Sequence, residues 1–156
     1  MHRSIHGELG HRVRTALKPN LDDIAWRLYM EWTVAFGDEF DAEFEDLPAP
    51  VQDELLASAR LLATFGPQLG RPHADTLNDS SFANMKELRF DADDGVWRVA
   101  FAFDLERKAI LLVAGDKSGG SEKRFYKTLI AKADKRFQGH LDRLETAKNA
   151  TKKGKK

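Results

Sequence analysis

The chain has 156 residues, 42% of them hydrophobic with ten Phe and three Trp, enough for one domain with a substantial core. It has no cysteine, which excludes disulfides, thiolate catalysis and Cys-ligated zinc and fits a reducing cytoplasm. The formal net charge is zero, yet residues 30–79 sum to −9 and residues 117–156 to +9, so one surface should repel a polyanion and another attract it.

In chain order, the start is polar rather than signal-like, and no apolar run approaches the roughly 20 residues of a membrane span. His2 and His6 have a spacing that could pair imidazoles on a metal, but with no carboxylate framework an unstructured arm is the simpler reading. Asn20 is placed to cap a short helix carrying Leu21, Ile24, Ala25 and Leu28. Residues 1–29 read as an N-terminal extension, or as the product of an upstream start codon. The domain proper is expected over residues 30–147.

Trp32, Thr33 and Val34 predict an opening strand. Asp38 can cap a helix bearing Phe40, Phe44 and Leu47, which Pro48 stops. Pro50 suits the first turn of a second helix with Val51, Leu55, Ala59 and Leu62 on one face, ended by Gly66 and Pro67. The two should form a hairpin that holds most of the acidic charge. Residues 67–84, rich in Pro, Gly, Asn, Asp and Ser, read as loop, and His73 as a surface histidine.

Three strands are expected at about 85–90, 95–103 and 108–116, joined by connections short enough for an antiparallel meander. In the middle strand Trp97, Val99, Phe101 and Phe103 face the helices, while Val96, Arg98, Ala100 and Ala102 face the other way. The small residues predict a shallow open surface on which Arg98 stands. The third strand is apolar on both sides until Asp116 and Lys117 and should be central. Ser121 can cap a last helix whose Phe125, Leu129, Ala133, Phe137 and Leu141 recur every four residues, leaving Tyr126 at its seam with the sheet. Residues 148–156 bury no apolar area and read as a basic disordered tail.

Arg89, Arg98, Lys117 and Tyr126 thus converge from two strands, a strand end and a helix. Cleaving RNA through its own 2′-hydroxyl requires removal of the 2′ proton, cations around the phosphorane-like transition state, and an acid for the 5′ leaving oxygen. The intramolecular nucleophile calls for no cofactor and no metal. Arginine suits the cationic role, and lysine or tyrosine can move the proton where neighbouring cations lower its pKa. Each residue also has a plain structural reading: edge solubilisation for Arg89, a salt bridge to Glu87 for Arg98, a turn charge for Lys117 and packing for Tyr126.

The runs Met85-Lys86-Glu87-Leu88-Arg89, Trp97-Arg98-Val99-Ala100-Phe101-Ala102-Phe103-Asp104 and Leu111-Leu112-Val113-Ala114-Gly115-Asp116-Lys117 appear in order. Phe125-Tyr126, Ala133-Asp134 and His140-Leu141 follow them. In these residues the chain resembles the RelE/HigB-like toxins of type II toxin–antitoxin systems, in the branch related to phage-derived proteins. The resemblance spans residues 31–141. It implies an α+β fold, RelE/ParE-like, with an N-terminal helical hairpin packed on a twisted antiparallel β-sheet and a C-terminal helix. It implies a cytoplasmic mRNA interferase, a ribosome-dependent endoribonuclease that inhibits translation, whose partners are ribosome, mRNA and a cognate antitoxin with a helix-turn-helix DNA-binding domain. By the same resemblance Arg89, Arg98, Lys117 and Tyr126 are the catalytic candidates, and Lys86, Lys123 and Arg124 hold RNA phosphates. Departures are the long N-terminal segment and the lack of a histidine beside Tyr126. Competing expectations are a ParE-like gyrase inhibitor and an inactive relative that only binds nucleic acid or antitoxin.

Overall fold

The computed structural model describes residues 32–154, so the expected extension over residues 1–29 lies outside the described residues. Strand β1 (Thr33–Phe36) leads into helices α1 (Asp38–Glu45) and α2 (Ala49–Phe65) and a 3₁₀ turn (Gly66–Gln68). Strands β2 (Ala74–Thr76), β3 (Met85–Ala92), β4 (Gly95–Phe103) and β5 (Lys108–Asp116) follow, and helix α3 (Glu122–Gly154) ends the described chain. The five strands form one sheet in the order β1-β5-β4-β3-β2.

The meander β3-β4-β5 is antiparallel, and its first turn explains its own sequence. Asp93 and Asp94 both have positive φ, 51° and 58°, as a two-residue hairpin loop of the type that matches strand twist requires. Asp and Asn tolerate that conformation better than other non-glycine residues. Beyond the meander the sheet is not wholly antiparallel. β1 pairs with β5 in parallel, from Thr33 opposite Lys108 to Phe36 opposite Leu111. This makes β5 an interior strand, flanked on both sides as its two apolar faces require, although β4 and not β5 takes the central place. β2 pairs with β3 inside the segment read as loop. Three residues carry too little alternation to announce a strand.

Two cores result, one on each face of the sheet. Val99, Phe101, Leu88 and Leu111 pack with Val34 and Phe36 under α1 and α2, where Phe40, Leu55, Ala59 and Leu62 are buried. On the opposite face Ala100, Ala102, Ile110 and Leu112 pack against Leu129, Ile130, Ala133 and Phe137 of α3. The predicted open surface is therefore covered. An apolar stripe on α3 needs a partner, and small side chains on β4 let the helix axis come close. At Gly115, an added Cβ would lie 2.8 Å from the Phe125 ring, so only glycine permits the first turn of α3 this approach.

α3 begins where the sequence expects it, with the Ser121 hydroxyl accepting from the Arg124 amide at 3.2 Å. At the other helix start the N-cap is Gly37, and Asp38 is the first helical residue. There its carboxylate favours the positive end of the helix dipole. α3 also carries on to Gly154 through the lysine-rich segment that composition read as an unstructured tail. Extending a helix that is already nucleated adds one hydrogen bond per residue fixed, and Ala147 and Ala150 favour it.

The acidic and basic segments meet across the molecule. Arg136 on α3 donates to both carboxylate oxygens of Glu43 on α1, each at 2.7 Å, and to the Leu112 carbonyl. Arg143 lies 3.1 Å from Asp38 and 3.8 Å from Glu39. Part of the +9 is thus spent on α1, and the acidic helix serves as its counter-surface.

A second staple fixes the far end of β4. The Asp104 Oδ1 atom accepts from the amides of Glu106 and Lys108, and Oδ2 lies 2.8 Å from His140 Nε2 on α3. Both side chains are buried. Burial works against ionisation of Asp104, but the bonds from His140 and the two amides outweigh it and hold the carboxyl below its ordinary range.

Candidate functional site

β3 carries Glu87 and Arg89 two residues apart, so both point to the α3 side of the sheet. Arg98 on β4 pairs directly with Arg89 across the strands. Two guanidinium groups in register repel, and Glu87 offsets this. Its Oε2 lies 2.7 Å from Arg89 Nη1, and its Oε1 lies 3.8 Å from Arg98 Nε. The Glu87 side chain is only 3% exposed, and Arg98 is buried with it. The salt bridge to Glu87 is real, and it is also what holds the two arginines side by side.

Tyr126 enters from the first turns of α3. Its hydroxyl accepts from Arg98 Nε at 3.3 Å, and its ring stands edge-on to Phe125 at 5.2 Å. The phenol is pushed above its ordinary value of 10.0. Burial raises it first; the Arg98 guanidinium opposes, and burial together with the nearby Glu87 carboxylate prevails. At neutral pH this hydroxyl stays protonated. The lowering expected from neighbouring cations is therefore not met. Arg98 lowers the value, but burial and Glu87 outweigh it, which leaves a protonated hydroxyl that can donate and cannot act as base.

Lys117 follows β5. Its amide donates to the Val96 carbonyl at 2.6 Å, and its ammonium donates to Glu122 at 2.9 Å. Asp116 fixes this corner by accepting from the Val96 and Ser118 amides and the Ser118 hydroxyl. Arg89, Glu87, Tyr126, Glu122 and Lys123 share one cleft of about 810 Å³ with Arg71, Asp75 and Lys127. A second cleft of about 520 Å³ has Arg71 and Arg89 in common with it and adds Arg98 and His73. The two arginines thus stand on the wall between adjoining grooves.

Two candidates lie elsewhere. Lys86 is one residue out of phase with Glu87 and Arg89, so it points to the helical-hairpin face and donates to the Pro67 carbonyl at 2.8 Å. Arg124 lines a separate groove of about 390 Å³ on the other flank of α3, with Phe125, Thr128 and Lys132. Arg71 and Asp75, which meet at 2.7 Å, escaped the sequence reading because Asp75 lies within an unrecognised strand and Arg71 shortly before it. Their four-residue spacing and opposite charge were the available signal.

The profile of the family described as Phage derived protein Gp49-like (DUF891) matches residues 42–138, more than half of the chain and all of the sheet beyond β1. The chain belongs to the Gp49-like family. It is also 52% identical over 81 residues to a Mycobacterium tuberculosis (strain ATCC 25618 / H37Rv) protein named "Putative toxin HigB3". That match covers 52% of this chain and 68% of the relative. A second protein of the same strain, "Putative toxin HigB2", is 35% identical over 136 residues, covering 86% of this chain and 64% of its own length. The Gp49-like assignment and these relatives bear out the resemblance to HigB-like proteins. No solved structure matches.

Proposed function

We propose that this Gp49-like protein is the toxin of a toxin–antitoxin pair and that it cleaves mRNA on the ribosome. The observation that carries the reading is the Arg98–Tyr126 contact at 3.3 Å, set on a rigid sheet beside a second arginine and open to a cleft. Arg98 and Arg89 stabilise the charge that builds on the phosphate as the 2′-oxygen attacks. Tyr126 protonates the departing 5′-oxygen. Lys117 and Lys123 hold flanking phosphates. The relatives' names support the toxin role, and a toxin of this kind requires a cognate antitoxin in the same cytoplasm. Among the described residues no helix is long and apolar enough to cross a membrane.

Inducible expression of the wild type beside an Arg98→Ala/Tyr126→Phe double variant tests the reading. Growth arrest with falling mRNA is expected for the wild type, and normal growth for the variant. Arrest of replication with mRNA intact would instead indicate a gyrase-binding inhibitor, and toxicity that survives in the variant would rule out this cleavage site.

The basic end of α3 is assigned to ribosomal RNA. Lys148 and Lys152 are exposed on it. Each phosphate neutralised on a single strand steepens the dependence of log K on log salt by about 0.7. Deleting residues 148–156 is expected to weaken ribosome binding and flatten that slope. An unchanged slope would reduce the segment to a solubility device.

A further inference from the structure

Two arginines of the cleft, and Lys117 beside its Glu122 rim, are already paired within the protein, whereas Lys123 and Lys127 line it with no ion pair among the described residues. Lys117 is 2.9 Å from Glu122, Arg71 is 2.7 Å from Asp75, and Arg89 lies 2.7 Å from Glu87 and 3.9 Å from Asp75. These carboxylates are of two kinds. Glu87 is 3% exposed and fixed between two strands, so it cannot leave. Glu122 and Asp75 stand at the rim, with side chains 66% and 32% exposed, and either can swing into water. The hydrogen bond from Lys117 holds the Glu122 carboxyl below its ordinary range, and that from Arg71 does the same for Asp75. Both are ionised throughout the neutral range.

A phosphodiester arriving at Lys117 or Arg71 therefore meets a charge that is already cancelled. It must take over the cation from a carboxylate of the protein. Exposed ion pairs are weak and screened by salt, so the exchange is open to a phosphate that is positioned by other contacts. A free strand has no such help. We propose that Glu122 and Asp75 are affinity-limiting counter-charges, which keep isolated single-stranded RNA weakly bound by occupying Lys117 and Arg71 until a phosphate positioned by other contacts displaces them. The proposal rests on the reading of this cleft as an RNA site. Glu87 has the opposite duty, since it orders the arginines and stays.

The test is binding of a single-stranded 2′-O-methyl RNA oligonucleotide, which lacks the attacking hydroxyl, to purified full-length protein by fluorescence anisotropy across a salt series. Freeing one cation for one phosphate adds about 0.7 to the log–log salt slope, so Glu122→Gln is expected to steepen it by that amount, a gain over the wild type that grows about threefold for each roughly fivefold dilution of salt. Glu122→Gln with Asp75→Asn is expected to gain about tenfold over the same dilution by the same rule. Asp53→Asn makes the same charge change on α2, across the sheet from the cleft, and is expected to bind like the wild type. If Glu122→Gln binds like the wild type, or if Asp53→Asn tightens binding equally, the counter-charge assignment is overturned while the cleft remains an RNA site. If neither wild type nor any variant binds the oligonucleotide and the wild type leaves ribosome-bound mRNA intact, the functional reading falls as well.

Discussion

Arg98→Ala is expected to slow mRNA cleavage by about 100- to 1000-fold, the loss typical when one preorganised donor to a developing charge is removed. The buried position of Arg98 is the reason for so large an effect. A guanidinium held by the Trp97 carbonyl at 2.9 Å, with Glu87 alongside and water largely excluded, needs no reorganisation when the phosphorane forms. Because the substitution also takes a cationic neighbour from the buried Glu87, Tyr126→Phe is the gentler companion. It keeps the ring against Phe125 and removes only the oxygen that Arg98 contacts. A general acid contributes about 100- to 10,000-fold, so Tyr126→Phe should lose a rate in that range with little change in ribosome binding. Rates measured on mRNA-loaded ribosomes, next to thermal melts of each variant, decide the matter. If Tyr126→Phe melts normally and cleaves at the parent rate, another group donates the proton.

Asp104→Ala is expected to destabilise the fold by about 3 kcal/mol, because a buried carboxylate bonded to two amides and an imidazole leaves all three without their acceptor. At about 2–4 °C per kcal/mol for a chain of this size, Tm should fall by roughly 6–12 °C. The direction of the pH dependence follows from the lowered carboxyl. Its folded-state value lies below its ordinary value of 3.8, so its stabilisation is complete above that pH and is lost as pH falls further. Wild-type and variant melts should differ at neutral pH and converge in strong acid. A gap that persided unchanged into acid would mean that the loss comes from packing and not from the ionised side chain.

The meander was legible because its signals are local. Alternation in residues 95–103, apolar runs on either side and Asp-rich turns are each read within a few positions. The α1–α2 hairpin was legible for the same reason, through Pro48, Pro50 and Gly66. What escaped depends on distant pairing. Nothing in Thr33–Phe36 records that it lies parallel to β5, and Ala74–Thr76 is a strand only because β3 presents an edge to it. Arg98 shows a different kind of miss. Ala100 and Ala102 beside it suggested an open surface, whereas small residues in a sheet are equally what a helix needs for close approach. The stripe on α3 already required such a partner. Lys86 was separable from Glu87 and Arg89 by parity alone, whereas Arg124 called for the rotation of α3 about its axis, which packing sets.

The same geometry gives the proposed acid and the cations separate origins. Arg89 and Arg98 are fixed by the sheet and by Glu87, and Tyr126 is fixed by the approach of α3 that Gly115 permits. A strand pair and a helix start must therefore both be in place before the constellation exists. The measurement that tests this most directly is mapping of mRNA 5′ ends in cells that express the wild type or the Arg98→Ala/Tyr126→Phe variant. New 5′ ends within translated regions that appear with the wild type and are absent with the equally abundant variant are the predicted result. The same ends with both proteins, or none with either, would contradict it.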